Sequence, residues 1–193
     1  MAETALILLA AGSSSRMGAP KQLLNFKGQP LVCHAVETAR AAGCSPIVVV
    51  VGAHKEQIID AVQNCPVEIA ENPRWAEGMG TSIQAGLGAL AGRNVNGAIL
   101  ALADQPFVTA DFLRGLLEKH ETTGKAIVAA KYSGTAGVPV FFAKSAFGML
   151  NALKPAEGCK GVILGHPADA LLVDCPEAAI DIDTPEDYAR ATA

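Results

Sequence analysis

A chain of 193 residues with net charge −4, half of it hydrophobic and only 5% aromatic, suits one α/β domain that buries roughly 70% of its unfolded surface. The acidic balance excludes broad nucleic-acid binding, which needs many cations on one face. No apolar run reaches the ~18 residues of a membrane span, and Met1 to Leu9 has no basic leader-like region, so a soluble, cytoplasmic protein without membrane contact is expected.

The first apolar run, Ala5 to Leu9, reads as a strand buried on both faces. It feeds a loop of small residues, Ala10 to Ser15, followed by Arg16, Gly18 and Lys21. Gly12 and Gly18 can take positive φ, and backbone N–H groups in such a loop converge on an anion that Arg16 and Lys21 would neutralise. No acidic residue lies between Glu3 and Glu37, whereas Arg16, Lys21 and Lys27 all do. That local field selects polyphosphate even in an acidic chain. Neither G-x-G-x-x-G nor a G-K-[ST] ending is present, which disfavours a standard dinucleotide fold and a P-loop ATPase.

Gln22 to Phe26 reads as extended, Lys27 to Pro30 as a turn, and Leu31, Val32, Ala35, Val36 and Ala39 as one helical stripe ending at Gly43. A strand at Ile47 to Val51, a helix with Ile58, Ile59 and Val62, and a strand at Val67 to Ala70 complete a βαβαβ alternation. This predicts a parallel sheet with ligands beyond the carboxyl ends of its strands. The loop Asn72 to Ser82 holds the sole tryptophan and the pair Gly78 and Gly80. Thr81 or Ser82 could cap a helix over Ile83 to Leu90 and aim its N-terminus at a ligand.

Gly97 to Leu102 is a strongly apolar strand ending in Ala103-Asp104-Gln105-Pro106. A carboxylate there is well placed to hold a metal in the crevice of the phosphate loop. Thr109 and Asp111 suit the start of a helix through Leu117. Beyond it lie a strand at Ala126 to Ala130, a Gly137-Val138-Pro139 turn, an apolar run Val140 to Phe142, a helix Ala143 to Leu153, and the small-residue loop Pro155 to Gly161 carrying Lys160. Strands at Leu171 to Val173 and Ala179 to Ile182 precede a final helix with Thr184 as N-cap, Pro185 in the first turn and Asp187 at the capping-box position. Asp181 and Asp183, two residues apart on a strand, would share one face and meet Asp104, with Asp183 the better placed. Five scattered cysteines and four dispersed histidines form no C-x-x-C or H-x-x-x-H pair, so neither disulfides nor a zinc site is expected.

Taken together, Leu9-Ala-Ala-Gly-Ser-Ser-Ser-Arg-Met-Gly-Ala-Pro-Lys21, the Asn72-Pro-Arg-Trp-Ala-Glu-Gly-Met-Gly-Thr-Ser-Ile83 run, Ala103 to Pro106, Gly137 to Pro139 and the closing Asp181-Ile-Asp-Thr-Pro-Glu-Asp187 resemble the molybdopterin nucleotidyltransferase family. Leu-Ala-Ala-Gly and Gly-Met-Gly-x-Ser are similar to its cytidylyltransferase branch. The resemblance implies a three-layer, Rossmann-like nucleotidyltransferase fold with a mostly parallel central sheet in one domain, 1–193. Residues of about 1–106 would bind nucleotide and about 107–193 the acceptor. It implies that Leu9, Ala10, Ala11, Gly12, Ser13, Ser14, Ser15, Arg16 and Lys21 bind CTP, with Ala10 to Gly12, Arg16 and Lys21 on its triphosphate, and that Gly78, Met79, Gly80 and Ser82 contact base and ribose. Arg16, Lys21 and Asp104 would be catalytic, Asp104 and Asp183 would bind Mg²⁺, and Gln105, Gly137, Pro139 and Lys160 would face molybdopterin, with a molybdoenzyme or its chaperone as a further partner. Where the branch shows Gly-Asp-x-Gly-Ala-Arg, this chain reads Ala156-Glu-Gly-Cys-Lys160, which keeps the acid and a cation but loses the guanidinium fork. Use of GTP, another phosphate acceptor, redox work on an aromatic ligand and a non-catalytic nucleotide sensor are the alternatives.

Overall fold

The buried apolar runs become strands of one sheet in the computed structural model, which describes residues 3–192. In chain order the elements are β1 (Glu3–Leu9), the short hairpin β2 (Asn25–Phe26) and β3 (Gln29–Pro30), α1 (Leu31–Ala41), β4 (Ile47–Val51), α2 (Lys55–Val62), β5 (Glu68–Glu71), α3 (Met79–Ala89), β6 (Val95–Leu102) and α4 (Ala110–Thr123). β7 (Ile127–Tyr132), β8 (Thr135–Ala143), α5 (Phe147–Asn151), α6 (Cys159–Gly165), β9 (Ala170–Asp174) and α7 (Pro185–Thr192) follow.

Seven strands pair in the order β5-β4-β1-β6-β8-β7-β9. Every pairing is parallel except the two made by β8. Alternation along β1 splits the core. Ala5, Ile7 and Leu9 face a layer containing Ile83 and Leu87 of α3 with Leu150 and Ile163, while Leu6 and Leu8 face Val32 and Val36 of α1, Ile58 of α2 and Leu113 of α4. The result is the expected three-layer α/β architecture with a mostly parallel central sheet. The chain leaves β1 toward β4 and returns on the other side at β6, so the switch point lies between β1 and β6, where a crevice opens at their carboxyl ends.

Several elements differ from the sequence expectation. Gly137 to Pro139 lies inside β8 rather than in a turn; the pairing with β7 jumps from Ala129 opposite Val140 to Ala130 opposite Gly137. This bulge accommodates a proline that has no N–H for the ladder. The turn itself is Ser133-Gly134, both at positive φ (48° and 72°), as a two-residue hairpin loop requires. Residues 179–182 form no strand: a 3-10 turn at Pro176–Ala179 leads into irregular chain, whose Ile182 N–H donates to the Asp104 carbonyl at 2.9 Å. Gln22 sits in a 3-10 turn, Lys21–Leu23, and the helix expected over 143–153 is a 3-10 turn, Lys144–Ala146, followed by the short α5.

Candidate active site

The β1 loop is shaped by Gln22, which directly follows the Leu9 to Lys21 motif. Gln22 is 3% exposed, and its amide donates to the carbonyls of Ala10 (3.1 Å) and Gly12 (3.0 Å). The Ser14 hydroxyl donates to its Oε1 at 3.1 Å, and the Lys21 N–H donates to Ser14 Oγ at 3.1 Å. One buried amide therefore holds both ends of the loop and fixes where Lys21 leaves the backbone. Periodicity could not single it out, because a glutamine before Leu23-Leu24 looks like an ordinary surface position.

The Lys21 ammonium sits between two carboxylates. It pairs with Asp104, at the end of β6, and with Asp183 Oδ1 at 2.6 Å, while Arg16 reaches Asp183 Oδ2 at 2.8 Å. Burial pulls the Lys21 pKa down, but Asp104 and Asp183 outweigh it and hold the pKa above the usual lysine value. For Asp183, burial acts upward, yet Lys21 and Arg16 bring the carboxyl below the ordinary range. Asp181 lacks such a partner: burial, then the charge of Asp104, pushes its carboxyl up.

These groups line a cleft of about 390 Å³. Of the residues expected to bind nucleotide, Leu9, Ala11, Gly12, Arg16, Lys21, Gly78, Met79 and Ser82 are on its wall, together with Asp104, Asp181 and Asp183. Ala10, Ser13, Ser14, Ser15 and Gly80 are not. Ala10 points into the α1/α2 layer, Ser14 braces Gln22, and the Ser13 carbonyl lies 3.1 Å from His54 Nε2. Trp75 adds an aromatic wall, seated where a Cβ on Gly52 would collide with its side chain at 2.6 Å. Glycine at position 52 is thus a packing requirement.

The Gly78/Gly80 pair also has a packing role. A Cβ at Gly78, whose φ is +129°, would come within 2.5 Å of the Pro155 carbonyl oxygen, and Gly80 N–H donates to that same carbonyl at 2.9 Å. Gln84 donates to the carbonyls of Asn151 (3.0 Å) and Leu153 (2.9 Å). The start of α3 is therefore clamped to the 151–157 backbone. Neither Thr81 nor Ser82 caps it: α3 begins at Met79, both residues are buried inside it, and both hydroxyls accept from Asn72 Nδ2 at 2.9 Å.

The four residues assigned to the acceptor do not converge. Gln105 and Pro139 border a separate apolar pocket with Leu6, Leu8 and His34, and the Gln105 amide donates to the Ala178 carbonyl at 2.9 Å. Gly137 leaves room for the Tyr132 hydroxyl, and Lys160 lies in a groove beside Met149 and Leu164.

Asp104 Oδ1 is buried without a hydrogen-bond partner, as is Asp181 Oδ1. Such a carboxylate beside Asp183 fits a hard, oxygen-seeking divalent cation. Among the described residues no group of three or more His, Cys, Asp or Glu could hold a metal. The protein would thus supply two carboxylates, Asp104 and Asp183, and leave the remaining positions to substrate oxygens and water. Among the described residues no helix is long and apolar enough to cross a membrane.

Residues 6–170 match the MobA-like NTP transferase domain. The chain is similar to nicotine blue oxidoreductase of Paenarthrobacter nicotinovorans, with 32% identity over 95% of this chain and 94% of that protein. It is also similar to molybdenum cofactor cytidylyltransferase of Escherichia coli strain K12, with 25% identity over 96% and 93%. Among solved structures, Rv0371c of Mycobacterium tuberculosis H37Rv superposes with a TM-score of 0.83 at 28% identity, covering 98% of this chain and 97% of that one. A structure of Rv0371c in complex with manganese gives 0.73 at 27% identity, over 98% of each chain.

Proposed function

Because the chain belongs to the MobA-like NTP transferase family, we propose that it transfers CMP from CTP to the terminal phosphate of molybdopterin or the molybdenum cofactor and releases pyrophosphate, with Mg²⁺ as its metal. The observation that carries this reading is the convergence of Arg16, Lys21, Asp104 and Asp183 in one cleft at the switch point of the sheet. Ala11 on the cleft wall, within the Leu-Ala-Ala-Gly motif, supports cytosine over guanine, and similarity to a molybdenum cofactor cytidylyltransferase supports the acceptor. Residues of about 1–106 then form most of the nucleotide wall, to which Asp181 and Asp183 are added, and the rest of about 107–193 faces the acceptor.

An oxygen of the acceptor phosphate attacks the α-phosphorus of CTP, the bond from that phosphorus to the β-phosphate oxygen breaks, and pyrophosphate departs with the electron pair. The attacking phosphate is already anionic, so no side chain need remove a proton, consistent with the lack of a histidine or serine dyad in the cleft lining. Asp104 and Asp183 would hold Mg²⁺, which would supply charge neutralisation to the phosphate oxygens. Arg16 and Lys21 orient the triphosphate and stabilise the departing pyrophosphate.

Pyrophosphate release is measured with each NTP, with and without molybdenum cofactor. Release with CTP only when the cofactor is present is expected, and Asp104→Asn is expected to lower turnover by about 10²-fold or more while the protein stays folded. Full activity of that variant would remove Asp104 from the mechanism. Full-length similarity to nicotine blue oxidoreductase favours a second reading, reduction of a planar aromatic acceptor in the same cleft beside Trp75. Dye reduction by a nicotinamide donor, with no pyrophosphate released from any NTP, selects that second reading.

A further inference from the structure

We propose that Lys21 is a built-in counter-ion that occupies the place of the divalent cation between Asp104 and Asp183 and must leave it when metal and triphosphate enter together. The inference rests on the metal reading given under Proposed function. Its ground is geometric. The ammonium contacts both carboxylates, at 2.6 Å for Asp183, and its side chain is only 16% exposed, so it is enclosed by the pair. A divalent cation bridging the same two carboxylates would stand next to that ammonium, and two like charges in a low-dielectric cleft repel strongly.

The arrangement also has a gap. Lys21 leaves Asp104 Oδ1 buried and unpartnered, so the ammonium satisfies the carboxylates only in part. Its backbone N–H is tied to Ser14 Oγ, and Gly12 and Arg16 line the same cleft; rotation about the flexible four-carbon stem of the lysine would carry the ammonium toward them. A triphosphate there would offer a new partner to the displaced lysine. Until then, Lys21 and Arg16 offset three carboxylates, Asp104, Asp181 and Asp183, that would otherwise repel an incoming polyanion.

The consequence is synergy: the metal alone binds weakly because it must expel a cation that has nowhere better to go, whereas metal with triphosphate binds tightly. The test is a Mn²⁺ titration followed by the electron paramagnetic resonance of free Mn²⁺, on the wild type, Lys21→Met, Lys21→Arg and Asp104→Asn, with and without α,β-methylene-CTP. Without nucleotide, Lys21→Met is expected to bind Mn²⁺ at least ten-fold more tightly than the wild type. Lys21→Arg, which keeps the charge, is expected to stay weak and serves as the informative variant should the methionine protein not fold. The analogue is expected to tighten Mn²⁺ at least ten-fold in the wild type and less in Lys21→Met. If Lys21→Met binds Mn²⁺ no more tightly than the wild type, or Lys21→Arg binds it ten-fold more tightly, while Asp104→Asn still weakens binding, the counter-ion inference is overturned and the metal site stands. If Asp104→Asn leaves Mn²⁺ binding unchanged with the analogue present, the metal reading falls and the inference with it.

Discussion

Replacing Gly80 with alanine would place a methyl group where α3 meets the 154–157 backbone. The new Cβ would fall inside contact distance of the Lys154 carbonyl oxygen and lie 3.0 and 3.1 Å from those of Glu157 and Pro155. These are main-chain atoms, so relief requires the whole loop to move. Overpacking of this kind costs about 1–3 kcal/mol, and losing the Gly80 N–H to Pro155 hydrogen bond (2.9 Å) costs about 0.5–1.5 kcal/mol more. Alanine returns at most about 1 kcal/mol of helix propensity. The net loss is about 2 kcal/mol, or a fall in Tm of roughly 4–8 °C for a chain of this size. Gly88 is the internal control: it lies in the same helix, is exposed, and has nothing within 4 Å of its Cβ position, so Gly88→Ala is expected to raise stability by up to about 1 kcal/mol. Differential scanning calorimetry of both variants decides the matter. A Gly80→Ala protein that melts at or above the wild type, or equal losses in both variants, would refute the clamp.

Gln22→Leu leaves the Ala10 and Gly12 carbonyls without their donor; a loss of about 1–3 kcal/mol is expected in urea melts, with a higher KM for nucleotide because the loop loses its brace. Thr184→Ala removes the acceptor for the Asp187 N–H (3.2 Å), one half of a capping box whose other half is the Thr184 N–H to Asp187 Oδ2 bond (2.9 Å). About 1 kcal/mol should be lost, with faster amide exchange confined mainly to α7. Asp181 has a folded pKa raised by burial and by Asp104, so the folded state holds its proton more tightly than the unfolded chain does. The associated stability is full below the ordinary aspartate pKa of about 3.9 and is lost as pH rises through the folded value. Asp181→Asn should therefore compare better with the wild type at pH 7 than at pH 4 in paired thermal melts, and an unchanged difference would refute the assignment.

The apolar strands were legible because burial on both faces needs uninterrupted Val, Ile, Leu and Ala runs, and Ile47 to Val51 is fully buried along its length. The ends of strands were legible where the large apolar residues stop, at Leu9 before the small residues Ala10 to Ser15 and at Leu102 before Ala103-Asp104. The capping residues Thr109 and Thr184 were readable because their bonds are local, to Phe112 and Asp187. What escaped was decided by distant partners. Gly78 and Gly80 look the same in sequence whether a ligand or another stretch of backbone approaches them, and here it is the 154–157 loop. The stretch 179–182, with Ile180 and Ile182 flanking Asp181, has strand-like alternation, but the Ile182 N–H donates to the Asp104 carbonyl and its side chain packs with Phe26 and Leu31. The pairing of Asp183 with Lys21, 162 positions apart, has no sequence signal beyond the types of the two residues.

Asp183 also bears on the order in which the chain is made. The cationic loop and Asp104 emerge early from a ribosome, but Asp183 arrives only after β9, with Ile182 seated among Phe26 and Leu31. A nascent chain could therefore assemble β1, β4, β5 and β6 and still lack one side of the carboxylate pair. The Arg16–Asp183 and Lys21–Asp183 pairs then close in a single late step, once the chain beyond β9 has been made.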